Sequence, residues 1–153
     1  MFLGTYEHAL DDKNRVVLPA GLRKYISEAR LEGGFVLAAG TRNQCLDLHP
    51  MAEWLAFVRG LEARYPPEDE EAQEFFRDLL SSAVEVQLDK QYRFLIPDAR
   101  KVEAGIERDV YFVGVSKKIE IWAKERWDAR KSGRQGIMKP PSAPRPAPPL
   151  AGG

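Results

Sequence analysis

Hydrophobic and polar residues alternate along two short stretches that lie at corresponding places in the chain. The stretch "YEHAL" puts Tyr6, His8 and Leu10 on one face, and "VEVQLD" alternates in the same way from Val84. Turn residues follow in both places ("DDKN" and "KQY"), and then "RVVLP" and "RFLIP", each ending at a proline. A period of two, bounded by turn residues, is typical of half-buried strands in a hairpin. The pattern therefore predicts the same hairpin twice.

The repeat extends well beyond these hairpins. The stretch "LDDKNRVVLP" from Leu10 matches "LDKQYRFLIP" from Leu88, 78 residues further on. Later, "LDLHPMAEW" matches "IEIWAKERW" at an offset of 73, which aligns Trp54 with Trp127. Repetition at a nearly constant offset indicates a duplicated structural unit. We therefore expect two similar units within one chain.

Each unit continues with a helix and two more strands. In the first unit, helical spacing predicts one continuous helix through Leu22, Tyr25, Ile26 and Ala29. In the second unit, a shorter helical piece runs through Ala99, Val102 and Ile106. The apolar runs "FVLAAG" and "CLDLH", and later "DVYFVGV" and "IEIWA", predict paired strands. The expected fold is α+β and mainly β, with units at residues 5–49 and 83–126.

Between the two units, the period changes from strand-like to helical. Apolar residues recur at i, i+3 and i+4 on both sides of Pro66 and Pro67, which indicates two amphipathic helices. The stripe before the prolines consists of Met51, Trp54, Leu55, Val58, Leu61 and Tyr65, and the stripe after them of Ala72, Phe75, Phe76, Leu79, Leu80 and Ala83. We expect a helical hairpin over residues 50–82, with its aromatic stripe in the core or a subunit interface.

Charge is unevenly distributed, although the 153 residues carry 23 acidic and 23 basic side chains. Every acidic residue lies at or before Asp128, so the body is acidic and the C-terminal segment basic. An acidic body argues against a broad nucleic-acid-coating surface, so any DNA contact must come from local clusters or from the tail. The segment "KPPSAPRPAPPLAGG" cannot bury enough apolar surface to fold. Residues 131–153 are expected to be a disordered, Pro-rich basic tail.

Several function classes are disfavoured by what the sequence contains. A single cysteine fits a reducing cytosol, and no apolar run reaches the ~18 residues of a membrane span. The start "MFLGTYEHALDDK" does not resemble a signal peptide, so we expect a cytoplasmic protein. Cys45 and His49 lack a second ligand pair with zinc-like spacing, and there is no phosphate loop or serine elbow. We expect no catalytic residues, no metal, no cofactor and no small-molecule substrate.

The repeated turn is the strongest candidate for function. Asp11 and Arg15 flank the first turn, and Asp89 and Arg93 flank the second. Further basic residues lie in or near the turns: Lys13, Lys90, Arg23, Arg100 and Lys101. Two interpretations remain open from the residues alone. The pairs could be ion pairs that only fix the turns, or the basic loops could contact DNA, with lysine on phosphates and arginine on base edges.

The stretches "YEHALDDKNRVVLPAGLR", "FFRDLLSSAVEVQLD", "LDKQYRFLIP" and "VYFVGVSKKIEIWAKERW" closely resemble the MraZ family of bacterial transcriptional regulators. The resemblance covers about residues 1–130. It implies two tandem SpoVT/AbrB-like swapped-hairpin units forming a pseudo-two-fold body. It also implies oligomeric rings, associated with the nucleoid, that bind direct repeats of double-stranded DNA in the promoter of the division and cell-wall gene cluster, including the family's own gene.

The resemblance assigns DNA contact to the motif arginines, Arg15 and Arg93, and to neighbouring basic residues. We expect Asp11, Asn14 and Asp89 to support the turns. The family usually has glycine before the arginine, whereas this chain has Asn14 and Tyr92. Asparagine tolerates positive φ, but tyrosine does so only at a cost. We therefore expect the first turn to keep the family geometry and the second to be reshaped, which would weaken DNA contact by Arg93.

Two alternatives come from other classes. The first is an assembly protein whose helical hairpin packs subunits and whose basic loops serve only solubility. The second is an AbrB-like antitoxin whose tail binds a partner, although such antitoxins usually carry one copy of the unit.

Overall fold

The computed structural model describes residues 1–40, 42, 44–134 and 138–142. These residues form eight strands and six helices. The strands are β1 (Thr5–Ala9), β2 (Arg15–Val17), β3 (Phe35–Ala39), β4 (Leu46–Pro50), β5 (Val84–Val86), β6 (Arg93–Leu95), β7 (Asp109–Val115) and β8 (Lys118–Ala123). The helices are α1 (Ala20–Arg23), α2 (Glu28–Glu32), α3 (Met51–Arg64), α4 (Glu70–Ser82), α5 (Asp98–Glu103) and α6 (Lys124–Arg134).

The two copies of the repeat exchange strands. Six strands form an antiparallel sheet in the order β1-β7-β8-β4-β3-β5, and β2 and β6 form a separate two-stranded ribbon. The first strand of each copy pairs with the third strand of the other, so Glu7 lies opposite Tyr111 and Phe35 opposite Val86. Exchanging the copies leaves this order unchanged. The predicted pseudo-two-fold body of two swapped-hairpin units is confirmed.

The main core lies between the six-stranded sheet and the ribbon. Val16 and Phe94, the middle residues of β2 and β6, are buried against sheet residues such as Phe112 and Ile121. Both copies contribute to this one cluster. A single hairpin would leave its strand edges unpaired and its apolar face exposed. Duplication within one chain therefore supplies both halves of the core.

The predicted helical hairpin is also confirmed, and it packs on the opposite face of the sheet. The second apolar cluster consists of Val36, Ala38, Trp54, Leu61, Phe75 and Leu79. Because Phe35 and Leu37 point into the main core, β3 is buried on both faces. This explains why "FVLAAG" is continuously apolar rather than alternating. Asp69 caps α4 by accepting a hydrogen bond from the Ala72 N–H at 3.0 Å.

The prediction of one continuous helix from Leu22 to Ala29 is wrong. The chain forms two short helices instead, since α1 ends at Arg23 and α2 begins at Glu28. Ser27 lies between them with φ −67° and ψ 155°, and its Oγ accepts a hydrogen bond from the Arg30 N–H. Serine competes with the helix for backbone hydrogen bonds and therefore favours the capping position over the interior.

The prediction that the tail begins at residue 131 is wrong at its N-terminal end, because α6 continues to Arg134. The Trp127 ring packs 6.4 Å from the Tyr111 ring and 5.4 Å from the Trp122 ring, between centroids, and these contacts hold α6 on β7 and β8. Residues 138–142 form neither helix nor strand. The rest of the predicted tail, residues 135–137 and 143–153, lies outside the described residues.

Candidate nucleic-acid interface

The first repeated turn is organised around the Asp11 carboxylate. Oδ1 of Asp11 accepts hydrogen bonds from the backbone N–H groups of Lys13 and Arg15, both at 2.9 Å. Its Oδ2 accepts a bond from Arg15 Nε at 2.8 Å. Asn14 takes the left-handed backbone conformation, with φ 61°. The aspartate thus shapes the turn and orients the arginine.

The second turn has the same geometry. Oδ1 of Asp89 accepts bonds from the N–H groups of Gln91 and Arg93 at 2.9 Å, and its Oδ2 accepts a bond from Arg93 Nε at 2.8 Å. Tyr92 has φ 62°, within one degree of its counterpart. The expectation that Tyr92 reshapes this turn is therefore wrong. The carboxylate makes the same three bonds in both turns, and they hold the tyrosine in the conformation that it disfavours.

The ribbon places both motif arginines on one outward face. Val16 and Phe94 point into the core, so their neighbours along β2 and β6 face the opposite way. This outer face consists of Arg15, Val17, Arg93 and Leu95. The arginine side chains are about one third exposed, at 34% and 29%, and the leucine is half exposed. The sequence did not reveal this shared face, because it depends on the pairing of β2 with β6.

Hydrogen bonds within the turns lower the pKa of both aspartates below its ordinary value. The N–H of Arg15 is the main cause that lowers the pKa of Asp11, with smaller contributions from the Lys13 N–H and the Arg15 guanidinium. The Arg93 N–H and side chain lower the pKa of Asp89 in the same way. A depressed carboxyl pKa means that the turn is supported above the ordinary aspartate pKa and loses that support as pH falls below it. Near neutral pH the two turns are intact.

The basic residues predicted near the turns have different environments. Lys13 and Lys90 are both exposed, but they occupy different turn positions, since Gln91 is the counterpart of Lys13. Lys101 Nζ donates to Asn14 Oδ1 at 2.9 Å, and the Arg23 guanidinium lies 3.7 Å from the centre of the Tyr92 ring. The structure thus brings Arg23 and Lys101 to the turns.

The structure does not bring Arg100 to either turn. Its guanidinium donates to the Ser82 carbonyl at 3.4 Å and to Glu103 at 3.0 Å. Its side chain is only 15% exposed. These bonds connect α5 to the C-terminal end of α4, where unpaired helix carbonyls require donors.

A buried polar cluster at the centre of the sheet was not anticipated. Asp47 of β4 lies directly opposite Glu120 of β8, at equivalent positions of the two copies. Lys118 Nζ lies 2.9 Å from Asp47 Oδ2 and 3.7 Å from Glu120 Oε2. Carboxylates facing each other across two strands repel, and the ammonium group offsets this repulsion. Cys45, the counterpart of Lys118, lies beside Asp47, and burial raises the pKa of its thiol.

A groove of about 800 Å³ lies beside this cluster, between β4 and the helical hairpin. Its lining includes Asp47, His49, Phe57, Asp78, Arg100 and Lys118. Cys45, Asp47 and Glu120 offer atoms within 4.8 Å of one another, but the cation beside these carboxylates is the Lys118 ammonium. His49 packs instead on the Phe57 ring, at 5.6 Å between centroids. We therefore assign the cluster to the pseudo-two-fold contact between the copies.

Known proteins resemble this chain over most of its length. The chain matches the family described as "MraZ protein, putative antitoxin-like" over residues 1–77 and 79–136. A protein named transcriptional regulator MraZ from Clostridium beijerinckii is 42% identical over 127 residues, covering 83% of this chain and 84% of that protein. A namesake from Caldanaerobacter subterraneus subsp. tengcongensis is 41% identical over 128 residues, covering 84% and 85%.

The chain therefore belongs to the MraZ family. Its relatives carry the name of transcriptional regulators and not of enzymes, which supports a DNA-binding regulator as the general function. Among the described residues, no helix combines the length and apolar character needed to cross a bilayer.

Proposed function

We propose that the protein is a sequence-specific, DNA-binding transcriptional regulator whose β2–β6 ribbon enters the major groove. The observation that carries this proposal is the outer ribbon face, on which Arg15 and Arg93 lie together. The major groove admits a two-stranded ribbon, and the arginine fork matches the O6 and N7 acceptors of guanine. Because Asp11 and Asp89 hold the Nε–H groups, a base edge would meet the two terminal amino groups of each arginine.

The proposal extends to the partner DNA and the assembly. We propose direct repeats in the promoter of the division and cell-wall gene cluster, including the protein's own gene, as the target of a nucleoid-associated homo-oligomeric ring in the cytoplasm. Leu55 of α3 and Leu80 of α4 are 43% and 45% exposed, so the helical hairpin has apolar surface to bury against another subunit. Head-to-tail subunits would present the ribbon repeatedly in one orientation, which suits direct repeats.

The DNA proposal is tested by fluorescence anisotropy, with the protein's own upstream region against a scrambled duplex of equal length at one fixed salt concentration. Arg15→Ala should reduce the specific-to-random affinity ratio by about tenfold or more, because a bidentate base contact contributes about 1–3 kcal/mol. Arg77→Ala is the matched control, since Arg77 is exposed on α4, on the side of the sheet opposite the ribbon, and pairs with Glu74 one turn earlier. A wild-type ratio in Arg15→Ala would contradict the proposed role of the ribbon.

Salt dependence separates phosphate contacts from base contacts. Lys13→Ala should weaken binding to both duplexes about equally and lower the salt slope by about one, as expected for one phosphate contact. Lys117→Ala changes the same charge on an exposed residue of the β7–β8 connection and is the control. Equal slopes for wild type and Lys13→Ala would remove Lys13 from the interface.

The assembly proposal is tested separately by light scattering of the full chain. We expect a particle larger than a dimer at micromolar concentration, and Leu55→Glu combined with Leu80→Glu should reduce its mass. A monomeric wild type would contradict the ring. A dimer that grows no larger would favour the antitoxin-like alternative.

A further inference from the structure

The residue at the tip of each turn is held by a helix of the other copy. Lys101 of α5 donates to the Asn14 side-chain oxygen at 2.9 Å, and Asp98 accepts from the Asn14 side-chain nitrogen at 2.8 Å. In the second turn, the guanidinium of Arg23, from α1, lies over the Tyr92 ring. Arg23 and Lys101 occupy equivalent positions of the repeat, as do Asn14 and Tyr92. The same cross-copy support is therefore built from two different chemistries.

The stacked arginine offsets backbone strain at Tyr92. A bulky residue with φ near +60° is strained, and such strain persists only where the surroundings impose it. At 3.7 Å from the ring centre, the guanidinium is well placed for a cation–π contact. Within the described part of the chain, Arg23 Nε is buried and has no hydrogen-bond partner. The ring, and not a hydrogen bond at Nε, is therefore what this guanidinium packs on.

Backbone bonds connect the same parts of the molecule. The Leu18 N–H donates to the Tyr92 carbonyl at 2.8 Å, and the Ile96 N–H donates to the Asn14 carbonyl at 2.9 Å. Each turn tip is thus bonded to the residue that follows the ribbon strand of the other copy. A shift of either tip would move the ribbon and the arginine that the ribbon presents.

We propose that Arg23 and Lys101 are positioning residues and not DNA contacts. Each holds the tip of the opposite copy's turn, and in this way each determines how accurately the motif arginine of that turn reads DNA. The inference rests on the proposed function, because it concerns the same ribbon. It implies that each reading turn depends on a residue supplied by the other copy.

The decisive experiment is a double-mutant cycle between Arg23 and Tyr92 in the full-length protein. Arg23→Ala should lower the specific-to-random affinity ratio about three- to tenfold while leaving the salt slope unchanged. In a Tyr92→Gly background, where the left-handed conformation is unstrained, Arg23→Ala should have no further effect. Lys24→Ala, which removes the neighbouring charge at the end of α1, is the control and should behave as wild type.

Two results of this cycle would overturn the inference. An equal loss from Arg23→Ala in both backgrounds, with a lower salt slope, would show that Arg23 contacts DNA directly. No loss in either background would show that the stacking contact is irrelevant to recognition. The corresponding cycle combines Lys101→Ala with Asn14→Gly. The same two results would overturn the role proposed for Lys101.

A measurement without DNA separates this inference from the proposed function. Hydrogen exchange at the Leu18 amide reports the bond to Tyr92, and Arg23→Ala should accelerate it about three- to tenfold relative to Lys24→Ala. If the wild type shows no specific DNA binding but this exchange accelerates, the DNA proposal fails and the support of the turn stands. Unchanged exchange would overturn the support itself.

Replacing the Arg23–Tyr92 contact by the contacts of the first turn gives a rescue test. Ala20 is the counterpart of Asp98, so Ala20→Asp, Arg23→Lys and Tyr92→Asn together rebuild the first turn's contacts in the second turn. The triple variant should recover the wild-type specificity ratio within about twofold, whereas Tyr92→Asn with Arg23→Ala should not. If the triple variant has no higher specificity ratio than the double variant, Arg23 does not act by positioning the turn.

Discussion

Asn14 and Tyr92 occupy the same left-handed position with φ values of 61° and 62°, although their intrinsic preferences differ. The tolerance of asparagine for positive φ predicted the left-handed conformation of Asn14. The prediction for the second turn failed, because the preference of one residue was weighed without its surroundings. Three bonds to Asp89 and the stacked Arg23 impose the conformation. The Asp89–Arg93 motif is visible in the local sequence, but the contact from Arg23 of the other copy is not. The backbone preference of a single residue is overridden when several contacts favour another conformation.

The equal geometry of the turns leads to a prediction about the two arginines. Arg93→Ala should reduce the specific-to-random affinity ratio about as much as Arg15→Ala, within about threefold, because the two arginines make the same bonds and share one face. Parallel binding titrations of both variants at one salt concentration are the measurement. A much smaller loss from Arg93→Ala would mean that the second turn does not read DNA despite its shape.

At the scale of elements, the strands and the helical hairpin could be predicted because each has a clear period and marked ends. The helix α6 was missed for the opposite reason. Its stretch "KERWDARKSGR" is almost wholly polar, and contacts with other elements anchor it, among them those of Trp127 with Tyr111 and Trp122 and the ion pair of Lys124 with Glu7. Hydrophobic periodicity could not predict the pairing of β2 with β6 either. Alternation shows which residues face inward but not which strands are neighbours.

The central strand β4 contains two buried groups whose titrations oppose each other. Burial lowers the pKa of His49 to about 4, so the histidine favours the folded state above its ordinary pKa and loses that contribution as pH falls. Burial raises the pKa of Asp47 to about 6, against the opposing Lys118 ammonium. A raised carboxyl pKa has the reverse effect, because folding then becomes more favourable as pH falls through 6. The two contributions offset each other between about pH 4 and 6.

Removing either Asp47 or His49 should reveal the pH dependence of the unfolding free energy that the other group causes. Asp47→Asn should lose about 2–3 kcal/mol of unfolding free energy relative to wild type as pH falls from 6.5 to 4, because His49 then titrates alone. His49→Phe should gain a similar amount between pH 6 and 4, because Asp47 then titrates alone. Urea unfolding across this range measures both slopes. Two variants that follow the wild-type curve would show that neither group is shifted as described.

At the scale of the whole molecule, the repeat is not fully symmetric, and its differences lie where the copies meet. Lys118 stands between Asp47 and Glu120, whereas the equivalent position of the first copy holds the neutral Cys45. Pairing two first copies would put Asp47 opposite a second Asp47 with no ammonium nearby. Like charges directly opposite on paired strands destabilise a sheet. The chain is thus built so that a first copy prefers a second copy over another of its own kind.

Two fragments test this preference, residues 1–65 and 68–134, which divide the chain between α3 and α4. Mixed together, they should form a folded 1:1 complex, because each supplies the strands that the other lacks. Fragment 1–65 alone should remain largely unfolded, and Asp47→Leu within it should promote self-pairing into a dimer by removing the facing carboxylates. Size-exclusion chromatography with light scattering and circular dichroism gives mass and folding for each sample. A folded monomer of fragment 1–65 would show that one copy completes its own core, and the strand exchange would then not be needed for folding.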